Sequence, residues 1–355
     1  ARRHGEFYFS SELASLCHHP AIDHEIDTAS LISYFAHGYV PAPGSMVSGV
    51  QKLPAGHNLI YNLTDHSTGL ERYWRFEFAP QMDWVNRPQA LSEALIEKLY
   101  AAVSTRMQAD VPVGVFLSGG IDSSSVASLA MTASKSQNVK TYSIGFEDES
   151  FDETAYSSDM AAVLGTDHTN EQLTAAGCLE LLDDIYTHLD EPMADSSLVP
   201  SFLMCRLARN QATVALGGDG ADELFAGYDP FKALSPARLY SRFVPKSVHG
   251  AITNLTGKIP VSHRNMSLDF KLKKFLSGLG YESRIRNPVW LGTLPPGHLS
   301  RLFGNPMDPE IVYAEAIAAW EASGAENDID RTLQFYVEMY LQNNILTKMD
   351  RAGML

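Results

Sequence analysis

The hydrophobic residues from about position 90 onward fall into short continuous runs separated by series at helical spacing. Runs at residues 111–117 and 141–146 predict buried strands, a shorter run at 213–216 predicts another, and residues 168–171 are a further strand candidate. The intervening series predict helices at about 89–107, after residue 124, and at 152–164, 174–188 and 199–210. Strands that alternate with helices of this length are typical of parallel βαβ units, whose sheet is covered on both faces. We therefore predict a doubly wound, parallel-sheet α/β domain.

The first 80 residues show a different pattern, with mixed helices and strands and frequent turn residues. The predicted elements are a strand at 7–9, a helix at 13–17 capped by Ser10 or Ser11, a helix that begins at Asp27 and ends at Gly38, and antiparallel strands at 57–63 and 72–78 around the connection 64–69. Short strands and helices closed by turns predict a small α/β unit that is separate from the parallel sheet.

A domain boundary is predicted at residues 78–88, where the periodicity is lost and two prolines occur. The predicted domains are residues 1–80 and 88–355. Within the second domain, residues 229–340 are helical by composition. We expect these helices to be interrupted by prolines at Pro245, Pro260, Pro288, Pro295 and Pro296.

The composition excludes several classes of function. With 27 Lys and Arg against 42 Asp and Glu, the chain carries a net charge of −15, which repels a nucleic-acid backbone. No stretch approaches the roughly 18 consecutive apolar residues of a membrane-spanning helix. Three cysteines fit a reducing compartment better than a disulfide scaffold. We predict a cytoplasmic protein with neither nucleic acid nor membrane as a partner.

A glycine-rich loop with the sequence SGGIDSS, residues 118–124, lies between a predicted strand and a predicted helix. Gly119 and Gly120 allow a sharp turn and a close approach of the backbone to a ligand. Successive amides at a helix N-terminus bind anions, Ser118, Ser123 and Ser124 add hydroxyl groups, and Asp122 adds a carboxylate for Mg²⁺. Because the loop lacks the lysine of GxxxxGK[ST], it suits a pyrophosphate leaving group. The alternative is an ordinary turn with a capping serine.

A second loop, residues 217–223, carries three glycines and three acidic residues after another short strand. Carboxylates at Asp219 and Asp222 can converge on one Mg²⁺ or divide roles around it. The alternative is a solvated acidic turn that caps a helix. Since both loops follow parallel strands of one predicted sheet, we expect them to lie close together at its edge, where ligands bind.

Two further positions have less specific patterns. Ile144 and Gly145 end the second strand, where a glycine would let a flat ring lie on the backbone, but the spacing alone favours a plain core strand followed by a turn. The segment Asp190-Glu191-Pro192 ends the preceding helix, because the residue before proline disfavours the α conformation.

Taken together, these segments resemble the asparagine synthetase (glutamine-hydrolysing) family of class II amidotransferases. SGGIDSS resembles the family's N-type pyrophosphatase (PP) loop. YSIGFEDESFDE, LDEPMADSS, LGGDGADELFAGY and LTKMDRAGM resemble its later synthetase motifs, and FSSEL, GYVPAP and KLPAGH resemble the end of its glutaminase domain. The resemblance covers about 1–228 and 340–355. It implies a PP-loop synthetase domain preceded by the C-terminal part of an αββα glutaminase-type domain.

The resemblance also implies a reaction and roles for residues. ATP and aspartate would give an acyl-adenylate and pyrophosphate, and ammonia from glutamine would attack the activated carbonyl. Leu117, Ile144, Gly217 and Gly218 would contact adenosine through the backbone, residues 118–124 would hold pyrophosphate, and Asp122 with Asp222 would hold Mg²⁺. Asp219 would act in forming the adenylate or guiding ammonia. Lys348, Asp350 and Arg351 match a helical motif of the family, in which Lys348 is the candidate catalytic residue, and a solvated helix face is an equal alternative for all three.

This sequence differs from the family pattern at both ends. Ala1 is not the N-terminal catalytic cysteine that cleaves glutamine, and Cys17 lies beyond the matched strand. We therefore expect the chain to begin inside a longer protein, to lack glutaminase activity as given, and to be incomplete at its C-terminus. A homodimer is an expectation from the resemblance alone.

Three alternatives stay open. Relatives of this scaffold close β-lactams, cyclise peptides or amidate sugar acids, so the acceptor of the amide nitrogen is not determined. An RNA-modifying enzyme with the same type of loop is disfavoured by the charge of −15. A non-catalytic nucleotide-binding protein is disfavoured by the two acidic, glycine-rich loops.

Overall fold

A computed structural model describes residues 1–3, 5–78, 86–134, 138–262 and 264–354. The strands are β1 Arg2–Arg3, β2 Glu6–Phe7, β3 His57–Tyr61, β4 Thr68–Arg72, β5 Val113–Phe116, β6 Lys140–Phe146, β7 Asp167–Leu173 and β8 Val214–Leu216. The helices are α1 Leu13–Cys17, α2 Thr28–His37, α3 Pro88–Met107, α4 Ile121–Ala133, α5 Thr154–Leu164, α6 Ala175–His188, α7 Leu198–Arg209, α8 Ala221–Phe225, α9 Asp229–Phe243, α10 Lys246–Thr256, α11 Leu268–Leu279, α12 Ser283–Leu291, α13 Pro296–Phe303, α14 Pro309–Val312, α15 Ala314–Glu321, α16 Asp328–Phe335 and α17 Leu346–Gly353, with a π-helical segment at Tyr336–Ile345.

The chain packs as two compact units. The first comprises the described residues of Ala1–Phe78, Leu189–Asp195 and Asp222–Thr347, and the second those of Ala79–His188, Ser196–Ala221 and Lys348–Leu355. The helical segment 222–347 thus packs with the N-terminal residues, whereas the sequence grouped it with the parallel sheet. The predicted boundary at 78–88 falls largely on residues 79–85, which lie outside the described part of the chain.

The second unit contains the predicted parallel sheet. Within the described residues, its strands are ordered β7-β6-β5-β8 and every neighbouring pair is parallel. Val115 of β5 pairs with Thr141 of β6 on one side and with Leu216 of β8 on the other. All four predicted strands are present, within three residues of the predicted ends.

Helices cover both faces of this sheet. Val115 and Leu117 pack with buried residues of α3, α4 and α5, including Val103 and Ala127. Phe116, between them in sequence, points to the opposite face and packs with Leu207 and Ala208 of α7 and with Tyr142. Successive residues of β5 are therefore buried on opposite faces, which explains its uninterrupted apolar run and confirms the doubly wound class.

In the first unit, the hairpin β3–β4 differs from the prediction. β4 spans Thr68–Arg72 and pairs with β3 from His57↔Arg72 to Tyr61↔Thr68. The predicted strand at 72–78 was therefore wrong. The turn is tighter than expected because Asp65 accepts hydrogen bonds from the backbone N and hydroxyl of Ser67, at 3.0 and 2.7 Å. The predicted strand at 7–9 is also shifted, to Glu6–Phe7.

The two N-terminal helices have the predicted positions but only one has the predicted cap. Asp27 caps α2 by accepting a 2.7 Å bond from the backbone N of Ser30, and Gly38 ends it with φ of 89°. Neither Ser10 nor Ser11 caps α1. Instead the Asp190 carboxylate accepts bonds from the backbone N of Leu13 and Ala14, at 2.7 and 3.0 Å. Asp190 therefore caps α1, in addition to lying in the Asp190-Glu191-Pro192 segment that follows α6.

The helical region of the first unit surrounds its core. The largest buried side chains there include Trp290, Tyr313, Phe335 and Tyr336. Pro245 and Pro295 precede helices as predicted. Pro288, however, lies buried inside α12 rather than ending it, so that expectation was wrong. It is the sixth residue of a nine-residue helix, and its missing N–H removes one hydrogen bond without ending the helix. No helix of the described residues is long and apolar enough to cross a membrane.

His37, at the end of α2, links the stability of the first unit to pH. Complete burial lowers the pKa of its imidazole from 6.5 to about 4, opposed weakly by a hydrogen bond to the backbone of Val312. Its Nε2 has no partner among the described residues, so protonation would bury an unsatisfied charge. The neutral form contributes fully above pH 6.5, and we expect about 3 kcal/mol to be lost as the pH falls to 4.

Denaturant unfolding of His37→Phe across this pH range tests that expectation. The phenyl ring preserves the edge-on contact with Tyr313, whose ring centroid lies 5.1 Å away. The variant should lose the acid-dependent decrease that wild type shows, whereas replacing the exposed His298 by glutamine should leave it in place. A pH dependence equal in wild type and His37→Phe would contradict this assignment.

Candidate active site

The two glycine-rich loops follow adjacent strands at the point where the strand order of the sheet reverses. From β5 the chain proceeds to β6 and β7 on one side, and then returns to β8 on the other side of β5. Residues 118–120 follow β5, and residues 217–220 follow β8. A reversal of this kind opens a crevice at the carboxyl ends of the strands, which is the usual ligand site of such sheets.

The structure brings these two loops into contact. A Cβ atom added at Gly218 would lie 3.0 Å from the backbone N of Ser123 and 3.1 Å from Cβ of Asp122. The backbone after β8 therefore packs directly against the first turn of α4. Gly220 has φ of 96°, a conformation that glycine adopts without strain.

Ser118 and Ser123 hold the first loop in shape. The backbone N of Ser118 donates to Ser123 Oγ at 3.1 Å, the two hydroxyl groups lie 3.0 Å apart, and the backbone N of Gly120 donates to Ser118 Oγ at 3.2 Å. Gly120 is the N-cap of α4 and has no side chain to bond the first-turn amides. These amides are thus available to an anion, and the two serines organise the loop around them.

Gly119 and Ser124 occupy tightly packed positions in the same loop. Gly119 has φ of 83°, and a Cβ atom there would lie 2.5 Å from the carbonyl carbon of Tyr156 and 2.8 Å from the backbone N of Ser157. Only glycine therefore fits between the loop and α5. Ser124 Oγ is buried and has no hydrogen-bond partner among the described residues. The Ser124 hydroxyl group therefore makes no hydrogen bond within this part of the chain.

The residues predicted to contact adenosine are in the second unit and near the ends of the central strands. Leu117 is buried, and its backbone N donates to Tyr142 O at 2.8 Å. Ile144 is half-buried near the end of β6. A Cβ atom at Gly145 would lie 2.6 Å from Gln172 Oε1 and 2.7 Å from Thr154 Cγ2, so packing of protein side chains already explains this glycine.

Asp219 lies exposed beside Gly217. A Cβ atom at Gly217 would lie 2.7 Å from Asp219 Oδ2, so the aspartate side chain folds over the loop backbone. Both residues line a cavity of about 430 Å³ with Phe116, Cys205 and Met349. Burial, with a smaller effect of Asp219, raises the pKa of the Cys205 thiol to about 11, so the thiol is protonated and unreactive at neutral pH.

The two other acidic residues of the second loop belong to the first unit, and they are not equivalent. The Asp222 carboxylate lies over the backbone of Gly227, where a Cβ atom would overlap its Oδ1. Glu223 is 1% exposed and accepts a 2.6 Å bond from the Tyr228 hydroxyl. Burial and then this bond raise the pKa of Tyr228. Glu223 is thus buried against tyrosine, and it is not one of the two acids of this loop, Asp219 and Asp222, for which the sequence predicted a role around a cation.

Lys348 is a buried residue of α17. It is 5% exposed, and its Nζ donates to Ser197 Oγ at 2.5 Å within the second unit. A solvated helix face therefore does not describe Lys348, although it does describe the exposed Asp350. Sequence spacing could not separate these two positions, because Lys348 and Asp350 lie in one short polar segment.

A metal ion at the first loop would depend mainly on ligands from a bound substrate. Among the described residues, no group of three or more His, Cys, Asp or Glu side chains is arranged to hold a metal. Asp122 is half-buried in the first turn of α4, beside the uncapped amides. One carboxylate next to an anion site fits Mg²⁺, which usually binds one or two carboxylates together with substrate phosphates and water.

A doubly wound sheet with a lysine-free, glycine-rich loop at its reversal point is the arrangement of an adenine-nucleotide (PP-loop) synthetase domain. The family model described as asparagine synthase matches residues 94–355, and that of a glutamine amidotransferase domain matches residues 1–74. The chain therefore belongs to the asparagine synthase family, as the sequence motifs predicted.

Curated relatives agree with this membership. Asparagine synthetase [glutamine-hydrolyzing] 1 of Bacillus subtilis is 32% identical over 98% of this chain and 53% of its own length. A putative asparagine synthetase of Methanocaldococcus jannaschii is 29% identical over 99% of this chain and 66% of its own. Amidase chry2 of Gibberella zeae is 28% identical over 75% of this chain and 42% of its own. The chain thus spans between 42% and 66% of the length of these three relatives.

Proposed function

We propose that the protein carrying this chain is an ATP-dependent amide ligase that converts aspartate to asparagine. The carboxylate of the acceptor attacks the α-phosphorus of ATP, and the bond to the β-phosphate breaks, which gives an acyl-adenylate and pyrophosphate. Ammonia then attacks the acyl carbon, AMP leaves, and the surplus proton passes to solvent or base. The observation that carries this proposal is the contact of the 118–124 and 217–220 loops at the reversal point of the sheet.

Each loop has a specific part in this proposal. The uncapped amides of α4 bind the β- and γ-phosphates, and Ser118 and Ser123 keep those amides oriented. The backbone at Leu117, Ile144, Gly217 and Gly218 binds adenosine. Asp219, exposed next to Gly217, faces the reacting groups and assists adenylate formation or ammonia attack. In each case, the protein positions the substrates and stabilises the charge that develops on them, and it forms no covalent bond with them.

Mg²⁺ would neutralise the charge of the departing pyrophosphate. Asp122 is the proposed protein ligand in the second unit, for the reasons given above. Asp222 belongs to the first unit, and its role as a second ligand is inferred from the sequence motif. Asp122→Asn and Asp222→Asn should each raise the Mg²⁺ concentration needed for half-maximal turnover, and each variant tests one ligand separately.

A second candidate keeps the chemistry but changes the acceptor. Two relatives, chry2 and chyE of Penicillium rubens, are named amidases rather than asparagine synthetases. The acceptor can therefore be another carboxylate, such as a sugar acid or a peptide. The nitrogen would come from glutamine, because residues 1–74 match a glutamine amidotransferase domain, or from free ammonia.

The products of the reaction test the proposal. The protein carrying this chain is incubated with Mg²⁺-ATP, aspartate and ammonia, and AMP, pyrophosphate and asparagine are measured. We expect these three in equal amounts, and at least about 100-fold less in Asp122→Asn. Asp159→Asn, at an exposed position of α5, is the matched control and should retain full activity. Formation of ADP would contradict the proposal, and release of AMP only with other carboxylates would favour the second candidate.

A further inference from the structure

His168 of β7 uses both of its ring nitrogens within the second unit. Its Nδ1 lies 2.9 Å from Thr141 Oγ1, and its Nε2 lies 3.1 Å from Ser143 Oγ. Thr141 and His168 are opposite each other in the parallel pair β6–β7, and Ser143, two residues further along β6, is on the same face of the sheet. One imidazole ring therefore connects two hydroxyl groups of the neighbouring strand. None of the sequence motifs includes His168.

The Ser143 hydroxyl extends this connection from the sheet to α5. Ser143 Oγ lies 3.1 Å from Ser157 Oγ, and Ser157 Oγ donates to Thr154 O at 3.1 Å. Ser143 and Ser157 are 5% and 0% exposed, so water does not compete with these bonds. The result is a continuous chain of hydrogen bonds from His168 through Ser143 and Ser157 to the first turn of α5.

The protons of this chain have one order when the imidazole is neutral. Burial lowers the pKa of His168, which favours the neutral ring. A carbonyl oxygen only accepts, so Ser157 donates to Thr154 O and accepts the single hydroxyl proton of Ser143. Ser143 must then accept from the Nε2–H of His168, and Nδ1 accepts from the Thr141 hydroxyl. A side chain at position 168 therefore has to donate toward Ser143 to maintain this order.

The first turn of α5 is the surface against which the 118–124 loop packs. A Cβ atom at Gly119 would lie 2.5 Å from the carbonyl carbon of Tyr156 and 2.8 Å from the backbone N of Ser157. A shift of Ser157 is therefore transmitted directly to the backbone of Gly119. The chain of hydrogen bonds that begins at His168 thus ends at a residue in contact with the loop.

Asp152 anchors the start of α5 independently of this chain. Its carboxylate accepts from the backbone N of Phe146, at the end of β6, at 3.3 Å and from Thr154 Oγ1 at 2.9 Å. Because Asp152 holds the helix without His168, breaking the histidine chain should displace the first turn of α5 without unfolding the helix.

We propose that His168 is a positioning residue for the pyrophosphate-binding loop, on which it acts through Ser143, Ser157 and the first turn of α5. The imidazole is a rigid ring that holds the two hydroxyl groups of β6 at a fixed separation, and the bond from Ser143 to Ser157 then fixes where α5 meets Gly119. The imidazole acts through these residues and not by contact with substrate. This inference rests on the proposed function, because it takes residues 118–124 to bind pyrophosphate.

Two substitutions of His168 separate the bond toward Ser143, which leads to the loop, from the bond toward Thr141, which does not. The amide of glutamine reaches the place of Nε2 and can donate to Ser143, whereas the shorter asparagine reaches the place of Nδ1 and keeps only the bond with Thr141. A misplacement of about 1 Å costs roughly 100-fold, and we expect His168→Asn to show part of it, a fall in kcat for pyrophosphate release of about tenfold, because Asp152 remains. KM for ATP should change by less than about twofold, and His168→Gln should restore most of kcat.

Ser157→Ala breaks the same chain at its other end and replaces His168→Asn if that variant folds poorly. The substitution removes one oxygen atom and places a good helix former in α5, so we expect a folded protein with a fall in kcat of about tenfold. Thermal unfolding of every variant shows whether a loss of kcat occurs at unchanged stability, which a purely structural role of the histidine chain would not produce.

NMR spectra of the free protein test the inference without turnover. The backbone amide signals of Gly119 and Gly120 should move in His168→Asn and in Ser157→Ala, and should coincide with wild type in His168→Gln. If wild type releases no pyrophosphate, the proposed function fails and these signals alone decide the inference. If wild type is active, the inference is overturned when either the amide signals or kcat keep wild-type values in both His168→Asn and Ser157→Ala, or when His168→Gln loses as much kcat as His168→Asn.

Discussion

Replacing Gly119 by alanine should reduce pyrophosphate release by about 100-fold or more. The new Cβ would lie 2.5 Å from the carbonyl carbon of Tyr156 and 2.8 Å from the backbone N of Ser157, so the loop must move away from α5. That movement breaks the alignment of the Ser118 and Ser123 bonds that orient the first-turn amides. A displacement of about 1 Å in a positioning group costs roughly this factor. Overpacking should also lower the unfolding free energy by about 1 to 3 kcal/mol.

Gly165→Ala provides the matched control. Gly165 also has a left-handed conformation, with φ of 71°, but nothing lies within 4 Å of a Cβ atom added there. This variant therefore carries the backbone strain of about 1 kcal/mol without the collision. We expect it to be slightly less stable and fully active in the pyrophosphate assay. Equal loss of activity in both variants would mean that backbone strain alone, and not the close approach of α5, explains the effect of Gly119→Ala.

The parallel sheet could be predicted from the sequence because its signals are local. β5, β6 and β8 are short, mainly apolar segments that end in glycine or a polar loop, whereas the edge strand β7 is mostly polar. The cap of α1 by Asp190 had no local signal, since Asp190 and Leu13, the first residue of α1, are 177 positions apart. The register of β3 and β4 was missed because aromatic residues at 73–78 look like a strand, while the Asp65 turn sets the pairing earlier.

The sequence also predicted the two glycine-rich loops of the candidate site. The two loops were found because glycines and acids after parallel strands must meet at one edge of a sheet. Composition gave no sign that Glu223 is buried against Tyr228, because Asp222 and Glu223 are both acids in one turn.

Replacing Lys348 by methionine should abolish most of the pyrophosphate release while leaving the chain folded. Lys348 is buried, and an ammonium group in a site of low dielectric constant stabilises developing negative charge far more than one in water. We expect kcat to fall by about 100-fold or more, with a smaller change in KM for ATP. Methionine is apolar and fills a similar volume.

A structural role for Lys348 gives a different result. Ser197→Ala removes the hydrogen bond that Ser197 Oγ accepts from Lys348 Nζ at 2.5 Å, and should lower the unfolding free energy by about 1 kcal/mol with a modest effect on kcat. If Lys348 only held α17 against Ser197, Lys348→Met and Ser197→Ala would lose activity in proportion to their loss of folded protein. A fall in kcat confined to Lys348→Met, at unchanged stability, requires the ammonium group to act on the reacting phosphate or carboxylate.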